Sequence, residues 1–573
     1  MIDSLPKFRP GNAQLLALYL VILALIALRK PDALLNSQPY AEDGAVFLQQ
    51  ALGHGYWSLL IPYAGYLHFI PRIVTLLSLF TCGLAGAPFA MNLSSLLLSS
   101  FSVWYLCLKR FRVLVRNDLT RYVLSFLIAS LPVHEIFLNM TNIQWFLSLF
   151  LTLWVIDQWV NYRNIPERAN ILTVLETAFT AFAFLTSILG FLAIPILAAV
   201  VLRKIRDETL FSLKGLCILV PSAALLTSLF AFLAPFLIHP AIGLSYSVGW
   251  WFAAAKLSVL HVVLSLLIPS SFADVLLTMP GLISLALSIG LALSTILLIY
   301  VILRNRDTLG LVFLGLIGLA LFLTVVFRST WMFAPDVTVG QRFLFYPMSL
   351  LAVLLVRMID SKRMPKGRFL IGVILIALSF NAALHYQIPP FVDLKWGSFA
   401  NQFSTNGNWT VVAPTNPLCG MQPLLCWTVT IPVDPQVTAS KLKLLTQVNG
   451  GEGGLYYLNG GITAPGQIYN VTSDTGPLID VVGWAIDQDT GKPAKSVFLV
   501  IDGNLAFPTA YGLGPPEFQY GPSTQLAHTD WWTIISTHGL SPGIHIISIW
   551  VVADDGLHYY SIQIATVMIE AIG

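Results

Sequence analysis

Apolar runs broken by short polar ones make up most of this chain, and the pattern changes once. Through residue 385 the apolar segments fall near 13–28, 67–82, 88–107, 122–137, 143–161, 170–186, 188–202, 215–238, 253–268, 281–303, 309–327, 343–357 and 369–385. Most approach the roughly 20 residues that a helix needs to cross a bilayer. Beyond residue 386 the runs shorten to 409–413, 426–433, 479–486, 496–501, 531–536, 544–552 and 559–568, rich in Val, Ile and aromatics. Gly, Pro, Asn and Asp separate them at the spacing of a β-sandwich, with hairpin turns predicted at Asp502-Gly503 and Asp555-Gly556. The expected fold is a polytopic α-helical membrane domain of about 11–13 helices over 1–385, followed by an all-β sandwich domain over 386–573. Within the latter, 480–573 reads as a module of its own.

Composition agrees with that division. Of 573 residues, 56% are hydrophobic and 10% charged, with a mean hydropathy of +0.76. A soluble globular protein carries about 25% charged residues, and a disordered chain needs low hydrophobicity with high charge, so both classes are excluded. The net charge of +3 is a sum of opposites. Residues 1–385 hold 26 Lys and Arg against 15 Asp and Glu, and residues 386–573 hold 5 against 13.

The basic residues also orient the helices. Lys7 and Arg9, 109–121, Arg163 and Arg168, 203–214, Arg304 and Arg306, and 357–368 hold 20 of the 31 Lys and Arg, and by the positive-inside rule these places are cytoplasmic. The loops at 29–66, 134–142, 187–190, 238–280 and 328–342, and everything after His385, then face outward. Two segments do not fit an alternating count: 67–82 reads as interfacial and 253–268 as a surface or re-entrant helix, which leaves eleven crossings. The first segment has no cleavage site before Arg29-Lys30 and reads as a retained helix. Cys419 and Cys426, close together in the acidic region, suit a small disulfide in an oxidising compartment.

Most functional-looking groups at membrane depth lie on the outer loops. The first contains Glu42-Asp43, then Tyr66, His68 and Arg72; an acidic pair beside a membrane helix is costly unless solvated, paired or used. The alternative for Asp43 is a helix N-cap. The turn 134–145 gathers His134, Glu135, Asn142, Gln144 and Trp145, amides and an indole suited to a hydroxyl-rich ligand. Interfacial anchoring is the alternative there. Arg342, ahead of Tyr346, presents a fork that suits a phosphate, and Lys256 on loop 238–280 is a point charge that either meets a lipid-linked anion or anchors an interfacial helix. Snorkelling to lipid headgroups competes with that role. No strong metal motif is present, and no metal is assigned.

On Tyr40–Gly44, Gly65–Arg72, Asn139–Trp145 and Gly340–Pro347, with the acidic pair directly after the first helix, the chain resembles the GT-C superfamily of integral membrane glycosyltransferases. The resemblance implies transfer of a hexosyl or pentosyl group from a polyprenyl-phosphate-linked donor to a glycan or lipid-linked acceptor at the outer face of a bacterial inner membrane. It implies inversion, with Asp43 as general base, Glu42 as its neighbour or substitute, and Arg342, Arg72 and Lys256 on the donor phosphate. Tyr66, His68, His134, Glu135, Asn142, Gln144, Trp145 and Tyr346 would line the substrate. Some members use a divalent ion. The expected partners are the lipid-linked donor, the acceptor and membrane lipid, with no nucleic acid, and a cell-envelope polysaccharide such as O-antigen fits the outward site. A lipid-linked-sugar flippase and a non-catalytic polysaccharide-binding scaffold are the rival readings. Trp484, Trp531 and Trp532 are either a glycan platform or core.

Overall fold

The computed structural model describes residues 11–161, 171–207, 213–238, 299–300, 302–332, 341–360, 367–402, 407–416, 427–459, 461–462, 468–471, 478–513 and 528–569. Lys256, Cys419 and Cys426 lie outside the described residues, as does segment 253–268. The chain divides into two compact units. Unit one comprises Met1–Pro31, Leu59–Pro71 and Leu93–Pro389; unit two comprises Asp32–Ser58, Arg72–Asn92 and Pro390–Gly573.

Unit one is helical. Among the described residues, six helices of the chain are long and apolar enough to cross a membrane: Asn12–Arg29, Phe69–Cys107, Ile143–Val160, Ile188–Arg206, Gly215–Leu233 and Gln341–Asp360. Shorter apolar helices are Ile171–Phe184, Thr308–Leu323 and Gly372–Leu384. Helix Ile143–Val160 is apolar on every side and buried from Ile143 to Gln158, so it forms the centre of this unit. Helix Phe345–Asp360 is also largely buried, and its Tyr346 hydroxyl meets Thr152 Oγ1 at 2.6 Å. Helix Asn12–Arg29 instead leaves Leu16, Leu20 and Leu28 exposed, as expected of a lipid-facing surface.

Several residues of the basic clusters are committed to structure. Arg110 pairs with Asp157 at 3.1 Å and Glu176 at 3.0 Å. Arg357 pairs with Asp307 at 2.8 Å and donates to the carbonyls of Val113 and Leu114. Arg121 is wholly buried against Asp118, which also pairs with Arg112. Asn117 opens the following helix, Asp118–Ala129, by accepting from Thr120 N at 3.0 Å, the usual use of Asn at an N-cap.

The apolar segments 67–82 and 88–107 form one helical stretch, Phe69–Trp104, broken at Gly83, whose φ of 63° and ψ of −176° no helix contains. Thr75 Oγ1 lies 3.7 Å from Met91 Sδ, sixteen residues on. Along a straight helix those positions would be about 24 Å apart, so the chain folds back at Gly83. The tip of this hairpin belongs to unit two, where Leu84 and Ala87 join the core of the strands.

Unit two carries thirteen described strands: β1 Trp409–Pro414, β2 Thr428–Val433, β3 Thr446–Val448, β4 Glu452–Leu458, β5 Gly461–Ile462, β6 Ile468–Val471, β7 Leu478–Ile486, β8 Ser496–Ile501, β9 Leu505–Pro508, β10 Ala510–Leu513, β11 Asp530–Ser536, β12 Gly543–Val552 and β13 His558–Ile569. One sheet runs β2-β1-β11-β7-β4-β5 with β10 on β11; the other runs β3-β13-β12-β8-β9 with β6 on β13. Side chains of both sheets, among them Val411, Val481, Ile534, Leu499, Ile549 and Val567, share one core. Strands before residue 480 are woven into both sheets, since β1 pairs with β11 and β3 with β13. Asp502 and Gly503 both have positive φ in the three-residue turn between β8 and β9, where Asn504 N donates to Ile501 O at 3.1 Å. A short helix, Trp396–Ala400, precedes β1, and a second, Pro435–Leu442, capped by Asp434, lies between β2 and β3.

Trp531 and Trp532 are core residues, and Trp532 Nε1 donates to Asp480 Oδ1 at 2.7 Å. A ligand platform needs exposed rings, so those two are excluded from that role, while Trp484 is half-buried.

Candidate functional site

In unit two the acidic pair sits at the start of a π-helical turn, Asp43–Leu48, which continues into helix Gln49–His54. The N-cap position falls on Glu42, whose side chain makes no capping bond, and Asp43 lies inside the turn, so the N-cap alternative for Asp43 does not hold. Asp43 is 3% exposed, and its N–H donates to Tyr40 O at 2.7 Å. Just before the pair, Ala41 has a φ of 39°, a region that residues with a Cβ avoid. A π-turn, a strained alanine and a buried carboxylate within three residues form the kind of local cost that tends to persist where chemistry needs it.

Arg72 stands in the same unit. It is 1% exposed, Nη1 donates to Gln50 Oε1 at 2.6 Å, and its guanidinium carbon lies 5.4 Å from the Phe47 ring centroid. Phe47 and Gln50 follow Asp43 by four and seven residues, the spacing of one helix face. The arginine therefore lies along the short helix that Asp43 begins.

Unit one holds the second set, built on the turn that leads into helix Ile143–Val160. Asn139 Nδ2 and Asn142 Nδ2 both donate to Glu135 O, at 2.8 and 2.9 Å, and Asn139 Oδ1 accepts from Asn142 N at 3.1 Å. Trp145 Nε1 donates to Asn142 Oδ1 at 3.2 Å, and its ring meets Phe343 edge-on at 5.3 Å. Arg342 N donates to Glu135 Oε2 at 3.3 Å, with Arg342 Nε 4.0 Å from the same oxygen. Gln341 Oε1 accepts from His134 N at 3.1 Å. Residues some 200 positions apart thus form one polar shell.

Tyr66 and His68 complete this set. Tyr66 OH donates to Gln144 Oε1 at 2.7 Å, and its ring stacks on His68 at 3.9 Å. The turn that presents them is tight: Tyr63 and Tyr66 form a β-bridge around Ala64 and Gly65, and Ala64, Gly65 and His68 all have positive φ. Leu138, in the Asn-rich turn, has a φ of 55°. Tyr346 is not part of this shell; it is wholly buried in the helix packing with Thr152.

His134 is a neutral donor. Burial and then the Arg29 charge hold its imidazole down to about 4. Its Nε2 lies 3.2 Å from His385 O, and a carbonyl only accepts, which puts the proton on Nε2. Arg29 itself is wholly buried, donating from Nη1 to the carbonyls of Ala129 and Leu131, with its guanidinium carbon 4.0 Å over Phe137.

The sequence alone did not single out Gln50, His385, Thr415 or Asn416. Each is an ordinary polar residue whose importance comes from a partner far along the chain, so no local signal marks it. Among the described residues no three His, Cys, Asp or Glu side chains gather to hold a metal ion. No protein-family model matches this chain, nor does any curated protein or solved structure.

Proposed function

We propose that the protein is an inverting glycosyltransferase of the GT-C type. Its donor is a sugar on a polyprenyl phosphate, and its acceptor is a glycan or lipid-linked hydroxyl. The observation that carries this reading is the buried Asp43, held in a π-turn behind a strained alanine, with the buried Arg72 lying along the same short helix. A carboxylate with restricted solvation is a competent base, and a buried cation stabilises a departing phosphate.

In this reading Asp43 takes the proton of the acceptor hydroxyl as that oxygen attacks the anomeric carbon. The bond from that carbon to the phosphate oxygen breaks, and the polyprenyl phosphate leaves with the electron pair. Arg72 offsets the leaving charge, and Arg342 and Lys256 are further candidates for donor phosphate. Unit one, taken by itself, carries in Tyr66, His68, His134, Glu135, Asn142, Gln144 and Trp145 the amides, ring nitrogens and ring faces of a kind suited to sugar hydroxyls. The reading places eleven helix crossings in a bacterial inner membrane and the strand-rich region in the periplasm, following the distribution of Lys and Arg.

The test is Asp43→Asn in the full-length protein in lipid nanodiscs. Transfer from a polyprenyl-phosphate-linked sugar is expected to fall by a factor on the order of 100 to 10,000, with unchanged unfolding behaviour. Retained transfer by a normally folded variant overturns the base assignment. Retained transfer together with lost movement of the lipid-linked sugar across the bilayer favours a flippase instead.

A further inference from the structure

Segment 39–44 of the acidic loop runs beside Thr415 and Asn416, the residues that follow β1. Ala41 N donates to Asn416 O at 2.5 Å, Asn416 N donates to Pro39 O at 3.0 Å, and Tyr40 and Asn416 form a parallel β-bridge. The Asn416 side chain is itself clamped, with Nδ2 donating to Val392 O at 3.0 Å and Oδ1 accepting from Val392 N at 3.2 Å. Tyr40 stacks on Phe391 at 5.0 Å, so a third stretch of chain closes over the same loop.

Next to the acidic pair the packing allows no side chain. A Cβ on Gly44 would fall inside van der Waals contact with Thr415 Cγ2 and 3.1 Å from Pro39 Cβ. Gly44 is not among the glycines with positive φ, so the glycine is required by close approach and not by backbone conformation. Thr415 is wholly buried, and its Oγ1 has no hydrogen-bond partner among the described residues. What Thr415 contributes at Gly44 is therefore its methyl group, as a stop.

We infer that Thr415 and Asn416 are positioning residues for Asp43: the methyl stop at Gly44 and the bridge at Tyr40 set where the carboxylate lies. The strand-rich region is then part of the scaffold of the base and not only an accessory. The inference rests on the base role proposed for Asp43 and deepens it. A displacement of about 1 Å is enough to cost a reaction about 100-fold, and a misplaced base should lower kcat more than it alters donor binding.

The experiment is a rescue series in the full-length protein, with a polyprenyl-phosphate-linked sugar as donor. Gly44→Ala is expected to lower kcat about 100-fold with donor KM within about twofold. Gly44→Ala combined with Thr415→Ser, which removes Cγ2 and keeps the hydroxyl, is expected to recover at least tenfold of that loss. A Gly44→Ala protein as active as the parent overturns the inference, and so does a folded double variant no better than the single one. If Gly44→Ala does not fold, Asn416→Ala takes its place, with a fall in kcat expected and partial recovery in Asn416→Asp, which keeps the acceptor for Val392 N; unchanged kcat in Asn416→Ala overturns it. Asp43→Asn separates the two levels. Activity retained there removes the base role itself, whereas activity lost there with Gly44→Ala silent removes only the positioning.

Discussion

Arg72 and Gln50 share a hydrogen bond of 2.6 Å, with Arg72 buried beside the Phe47 ring. A partner of the buried guanidinium thus comes from the short helix that begins at Asp43, so the arginine and the acidic turn pack as one element. Removing Gln50 leaves a buried charged donor without that acceptor, which costs about 1–3 kcal/mol. Gln50→Ala should lower the unfolding midpoint of the full-length protein in detergent, and Gln50→Glu, which keeps the acceptor, should recover it. Equal midpoints for all three proteins would show that this bond does not hold the arginine.

His134 gives a pH dependence whose sign follows from its environment. Folded, it stays neutral down to about 4, whereas its ordinary value is 6.5. Between those values the unfolded chain binds more protons, so stability is fully present above 6.5 and is lost as the pH falls toward 4. His134→Gln keeps a donor for His385 O and cannot titrate. Its midpoint should change less than the parent's between pH 6.5 and 4; parallel curves would refute the assignment.

Gly83 turns the hairpin. Its φ of 63° and ψ of −176° are accessible essentially to glycine alone, and a Cβ there meets nothing within 4 Å. Gly83→Ala should therefore destabilise through backbone strain alone, by about 1–3 kcal/mol. Gly315→Ala, at an equally open site inside helix Thr308–Met332, should be neutral or stabilising by up to about 1 kcal/mol. Thermal unfolding of the two variants side by side decides it, and equal destabilisation would rule out the turn geometry as the cause.

Much of the secondary structure was legible locally. Runs of Val, Ile and aromatic residues place β1, β2, β7, β8, β11, β12 and β13 within two residues of their observed ends, because alternation and turn residues act over a few positions. The hairpin at Gly83 was not legible. Both of its arms are simply apolar, and only the return contact of Thr75 with Met91 shows that the chain reverses.

The same division runs through the candidate residues. Asp43, Arg72 and the 134–145 turn stand out in the sequence because charges and amides are conspicuous in a chain with only 10% charged residues. Which of them share partners was decided by tertiary structure. Glu135 meets Arg342, and Tyr66 meets Gln144, across long stretches of chain. The amino-acid pattern determined that this is a helical, apolar chain with a strand-rich end, since hydrophobic periodicity is a local property. That the acidic loop is seated against Thr415 and Asn416 came only from the fold, because a glycine required by a methyl group more than 300 residues away leaves no mark on its neighbours.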